Sequence, residues 1–214
     1  MRFKTPLVTF VVVGCLMACS LQSPYPDRAL YAIAPGPPDS AIVDTEPAHN
    51  VTLRVRRIVA VPPYGGTDLV TRTAAHRLAV DYYSAYAAAP SDLLTTELIQ
   101  WLRSTNTFSA VTDAAGGLPH QWSLEGRLQE LAIDNSNPAA PEAVLALELV
   151  LIDDTGSASR CLMAKTYTER LRIPGPDPAS GIEGLSKACR ALFIRATADM
   201  ETLPQSGNGG AKRP

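Results

Sequence analysis

Residues 143–152, AVLALELVLI, are apolar at odd and even positions alike, with Glu148 as the one exception. Successive side chains of a strand point to opposite faces, so this pattern requires cover on both sides, which is the position of a central strand. Such a strand forces the chain into a layered domain. Residues 161–171, CLMAKTYTERL, follow through DDTGSAS at 153–159, so the two segments read as an antiparallel pair joined by a turn.

The rest of the chain supplies more strands and two helices. Residues 28–33 read as an edge strand, and 34–50 as a loop broken by Pro35, Gly36, Pro37, Pro38 and Pro47. Residues 51–61, VTLRVRRIVAV, alternate as one strand, with Val51, Leu53, Val55, Val59 and Val61 on the same face. Beyond Pro62, Pro63, Gly65 and Gly66, residues 68–74 and 77–83 form a hairpin. A helix is predicted over 90–106, with Ser91 as N-cap, Asp92 favouring the helix dipole, and Leu94, Leu98, Trp101 and Leu102 as its apolar stripe. A short strand at 108–111 and a half-buried one at 122–133 follow. The last helix spans 179–202, with Ile182, Leu185, Cys189, Leu192 and Ala196 on one side. Together these make a single α/β domain with a mixed sheet of about five or more strands and two main helices.

Ahead of that domain, Arg2 and Lys4 precede a 12-residue apolar run at 7–18, LVTFVVVGCLMA, the shape of a secretory signal. It is too short for a bilayer span, which takes roughly 20 apolar residues. Leu16, Met17 and Ala18 before Cys19 resemble a lipobox. Residues 1–18 are therefore read as a lipoprotein signal peptide and Cys19 as the acylated first residue of the mature chain. Cys15 competes, behind Val12, Val13 and Gly14, but cutting there would leave a very short apolar core. A plain secretory signal with a coincidental cysteine is the third reading. Residues 19–27 are the anchored tether, 28–203 the domain, and 204–214 a disordered tail. Ser20 resembles the sorting pattern for the outer membrane of a Gram-negative bacterium.

Composition fits this scheme. Charged residues make up 19% and hydrophobic ones 46%, which argues against both a disordered chain and a multi-span membrane protein. Losing Arg2 and Lys4 takes the formal charge from -2 to -4, the wrong sign for a nucleic-acid partner. His49, His76 and His120 share no spacing that would make a metal or acid-base site, and read as solvated. No GxSxG, P-loop, GxGxxG or HExxH pattern occurs, so no catalytic residue, metal or cofactor is assigned. Asp153 and Asp154 read as turn residues. Cys161 and Cys189 are a candidate disulfide in an oxidising compartment, although two free thiols would look the same in sequence.

Four segments resemble the ABC-type transport auxiliary lipoprotein family, the PqiC-like proteins of paraquat-inducible and MCE-associated lipid transport. They are RALYAIAP at 28–35, LRVRRIVAVPPYGGTDLVTR at 53–72, DYYSAYAAAP at 81–90 and FSAVTD at 108–113. Tyr86 stands where the family often has tryptophan, and Gly65 and Gly66 replace bulkier turn residues. The resemblance implies a three-layer α/β sandwich, anchored at the outer membrane and facing the periplasm. It implies a non-catalytic role beside MCE-domain or ABC transporter subunits, with self-association into a homo-oligomer left open. Tyr64, Tyr82, Tyr83 and Tyr86 are candidate contact residues, since tyrosine gives interface area with a polar tip; packing on their own core is the competing reading. An alternative role is as partner of an outer-membrane β-barrel in lipopolysaccharide or envelope assembly. An envelope hydrolase is a third class, against which the missing nucleophile and base motifs argue.

The lipobox reading makes a direct prediction: Cys19→Ala abolishes labelling by radioactive palmitate in cells. Labelling at the level of the unaltered chain would overturn the anchor.

Overall fold

The computed structural model describes residues 27–38 and 46–204; the signal peptide, Cys19, most of the tether, and residues 205–214 of the tail lie outside the described residues. In chain order the elements are β1 (Ala29–Tyr31), β2 (His49–Val55), β3 (Val59–Ala60), β4 (Asp68–Ala74), β5 (Arg77–Tyr86) and α1 (Pro90–Ser104). They continue with β6 (Phe108–Asp113), β7 (Trp122–Asp134), β8 (Glu142–Asp153), β9 (Arg160–Arg172) and α2 (Pro178–Glu201).

All nine strands belong to one mixed sheet. β7 and β8 pair antiparallel from Trp122 opposite Asp153 to Asp134 opposite Glu142, and β9 adds to the far side of β8. Along its other edge β7 receives three short strands in succession, all parallel to it. β2 pairs at Trp122, Ser123 and Leu124, β3 at Arg127 and Leu128, and β4 at Ile133 and Asp134. Outside these, β6 pairs with β2, while β4, β5 and β1 continue the sheet at the other end.

Both helices lie on the same face. Ala143, Leu145, Leu147, Leu149 and Leu151 of β8 point to that face and are fully buried. The backbone of α2 comes close enough that a Cβ on Gly184 would sit 2.7 Å from the Ala143 Cβ, and one on Gly181 would overlap Ile133. Only glycine permits that approach. α1 lies beside α2: the Trp101 indole N–H donates to the Thr197 hydroxyl at 3.1 Å, and its ring meets Phe193 at 5.7 Å. Asp177 caps α2 by accepting from the Ser180 N–H at 2.9 Å.

The mixed sheet, two helices and single domain agree with the sequence reading, the sheet being larger. Among the described residues, the cover on the opposite face is built of side chains rather than a third layer of helix. Arg72 bridges Glu130 and Asp134, the latter at 2.8 Å, while Arg170 reaches Asp134 at 3.4 Å and Glu142 at 3.1 Å. Val144 and Ala146 of β8 are buried on this same side. Glu148, the break in the apolar run, also faces it, 3.8 Å from Arg127.

Three local expectations are corrected. Residues 51–61 are two strands, because the Ile58 N–H leaves the ladder to donate to the Thr95 hydroxyl of α1 at 2.9 Å. The side-chain phase slips there, so Ile58 is buried and Val59 is 65% exposed instead of sharing the face of Leu53 and Val55. Ser91 does not cap α1: Pro90 already occupies the first turn, Ala89 stands at the N-cap, and Ser91 is buried. Finally, β2 begins at His49, inside the segment expected to be loop.

Asp134 should make the fold acid-sensitive. Burial alone would raise its carboxyl, but hydrogen bonds from Ser136 and the Arg72 guanidinium outweigh that and hold it at about 2. A depressed carboxyl stabilises the fold above its ordinary value of 3.8, and that contribution is lost as pH falls from there towards 2. Asp134→Asn is expected to be less stable at neutral pH and to flatten the pH dependence of chemical denaturation in that window. An unchanged pH profile would show that this carboxylate contributes no linkage.

Candidate interaction surface

The four candidate tyrosines separate into two classes. Tyr64, just after the Pro62–Pro63 turn, and Tyr86, at the end of β5, are both buried in the core. Burial pushes both hydroxyls up from their ordinary value. They are packing residues, which corrects their candidacy as contacts: Tyr86 sits where β5 is flanked by β1, and its N–H donates to the Thr67 carbonyl at 2.7 Å. Tyr82 and Tyr83 are 66% and 50% exposed and meet edge to face at 5.2 Å. β4 pairs with β5 antiparallel as expected, and β1 covers the outer edge of β5 only at Ser84, Ala85 and Tyr86. The outer half of β5 therefore projects with Leu78, Val80 and Tyr82 exposed, and Leu30 of β1 is exposed near its base. Leu78, Val80 and Leu30 were missed by sequence reasoning, although the alternation of the first two in a hairpin strand was visible.

A second surface feature lies on the charged side of the sheet, where the β2–β3 interruption leaves a groove of about 340 Å³ bounded by Arg56, Arg57, Glu125, Arg127 and Glu148. Its charges are matched: Arg56 to Glu125 at 2.8 Å, Arg57 to Asp92 at 2.5 Å, and Arg127 to Glu148 at 3.8 Å. Exposed pairs of this kind contribute little to stability, so they can exchange partners at small cost.

The histidines do not converge. His76 is exposed in the hairpin turn, and His120 lies 3.8 Å from Asp154. His49 is not solvated: it is buried, its Nε2–H donating to the Met200 carbonyl at 2.7 Å, with Trp122 4.9 Å and Phe108 5.7 Å away ring to ring. The alternation of Val51, Leu53 and Val55 extends back to His49, which was the available signal. Asp154 lies in the turn as read, accepting from Ser123 and Ser159, but Asp153 is corrected to the last, buried residue of β8, where it accepts from Thr155. Among the described residues no group of three or more His, Cys, Asp or Glu could hold a metal ion, and no helix is long and apolar enough to cross a membrane.

No protein-family model matches the chain, and no curated sequence matches it. Solved structures do. A Xanthomonas campestris protein of the DUF330 family superposes with a TM-score of 0.67 at 15% identity, covering 79% of this chain and 92% of that one. This chain shares its fold. An uncharacterized protein gives a TM-score of 0.62 at 11% identity, over 81% of this chain and 99% of that chain. The hypothetical protein CT253 from Chlamydia trachomatis gives 0.51 at 9% identity, over 71% and 96%.

Cys161 is exposed at the start of β9 and Cys189 is buried on α2, and both are free thiols, so the candidate bridge is not formed. One sulfur lies in the core and the other in water. Burial, with the nearby Glu97 charge, pushes the Cys189 thiol up and so suppresses its reactive thiolate. In the folded protein, without reductant, an alkylating reagent should modify Cys161 alone, and both cysteines only after denaturation. Intact mass checks this; two thiols that resist alkylation until reduced would establish a bridge.

Proposed function

We propose that this chain is an outer-membrane-anchored periplasmic lipoprotein and a non-catalytic auxiliary component of an ABC/MCE-type intermembrane lipid transport system. One observation carries the reading: the segments that resemble the auxiliary lipoproteins assemble one continuous region of the fold. Residues 28–35 contain β1, 53–72 run from β2 into β4, 81–90 lead from β5 into α1, and 108–113 are β6. These strands make up the side of the sheet beyond β7. The DUF330 fold supports the same reading.

Its mechanism is positional. Acyl chains on Cys19 hold the domain at the inner leaflet of the outer membrane, each buried CH₂ contributing about 0.8 kcal/mol. The domain then docks the periplasmic end of the transport assembly. The charged sheet face, with the groove beside β3, is the side offered to protein partners, because its exposed ion pairs can be re-paired across an interface.

Crosslinking in intact cells, followed by purification through a C-terminal tag and mass spectrometry, tests this. An MCE-domain subunit or ABC permease among the crosslinked partners is the expected result. Recovery of a β-barrel alone would replace the proposal with the envelope-assembly role.

A further inference from the structure

We propose that the outer half of β5, through Leu78, Val80, Tyr82 and Tyr83, rests on the phospholipid surface of the membrane that holds Cys19. The inference rests on the lipid-anchor reading and adds to it a second contact made by the folded domain.

The position of the tether sets the geometry. β1 runs parallel to β5, with Ala29 beside Ser84 and Leu30 beside Ala85, so the N-terminal end of β1 points along β5 towards Tyr83 and Tyr82. The eight residues 20–27 lead from Cys19 to the domain, and fully extended they reach roughly 26–29 Å. An acylated Cys19 therefore keeps this corner of the domain close to the bilayer.

The chemistry of the corner suits a lipid surface. Leu78 and Val80 alternate along the strand opposite Arg72 and Val70, Tyr82 follows just beyond the irregularity after Val80, and Val80 is 59% exposed. The neighbouring aromatic pair, Tyr82 and Tyr83, is of the kind that settles at the boundary of headgroups and acyl chains, with the ring buried and the hydroxyl wet. Arg77 and Asp81 balance in charge, and the Asp81 carboxylate is turned back onto its own strand, accepting the N–H groups of Tyr83 at 2.8 Å and Ser84 at 3.1 Å. That local turn, with the register break beside it, also disfavours a second copy of the chain as occupant. It distorts the outer edge of β5 where an added strand would need a regular ladder.

The test uses the mature chain purified from membranes and reconstituted in vesicles of phosphatidylethanolamine and phosphatidylglycerol, with and without lipids brominated on the acyl chains. Tyr82→Trp places a reporter at the surface, while the native Trp101 and Trp122 are buried and give the background. The expected result is loss of the introduced tryptophan's emission in brominated vesicles, and recovery of that emission when Val80→Asp is added at its exposed position. Unquenched emission overturns the proposal, as does shielding that appears with self-association in detergent. Intact mass reports acylation of Cys19 separately. An acylated chain without quenching overturns this inference alone, and an unacylated chain that is still quenched overturns the anchor alone.

Discussion

The long pairing of β7 with β8 is the contact on which the rest of the sheet depends. Twelve residue pairs join them from Trp122 to Asp134, with one irregularity between Leu128 and Glu130. Because β7 is longer than any strand on its other side, three short strands dock against it in turn and share one register frame. β2 and β4 also pair with β6 and β5, but only β7 joins those pairs, and β3, into one sheet. The interruption between β2 and β3 is tolerated because the Ile58 N–H donates to the Thr95 hydroxyl while the Ile58 side chain enters the core beside Gly126, where a Cβ would stand 2.7 Å from Ile58.

The two faces of this sheet are stabilised in different ways. On the helix side, fully buried leucines of β8 and the close approach of α2 at Gly181 and Gly184 contribute through removal of apolar surface from water and tight packing. On the other side, Arg72, Glu130, Asp134, Arg170 and Glu142 form a connected network. The half-buried Arg72–Asp134 contact is the part of that network in which solvent screens the charges least, and it adds to the hydrogen bonds from Ser136 that hold the Asp134 carboxyl low. The outer pairs, Arg56–Glu125 and Arg127–Glu148, are open to water and leave the groove free for exchange. One domain thereby combines a tightly packed core with a face whose outer ion pairs contribute little to its stability.

The candidate surface was legible only in part. Tyrosine clustering at 82 and 83 marked a strand that is exposed, but the same reasoning included Tyr64 and Tyr86, which are core. Sequence spacing could not separate them, since burial at Tyr86 comes from β1 lying alongside, a contact across more than fifty residues. His49 failed for a related reason. The prolines around it announced a loop, while its partners, Met200, Trp122 and Phe108, come from three distant elements. Cys161 and Cys189 also needed their exposures, which strand and helix assignment alone did not supply.

By itself the sequence determined the existence and type of nearly every element: alternation identifies strands, a 3.6-residue stripe identifies helices, and prolines and glycines punctuate them. These are local properties, fixed by which side of a short segment must leave water. Tertiary structure decided that both helices share one face, that three strands line up along β7, and that Ile58 rather than Val59 turns inward. Each of those outcomes depends on contacts between residues far apart in the chain. Their energies are set by packing and pairing that no single segment contains.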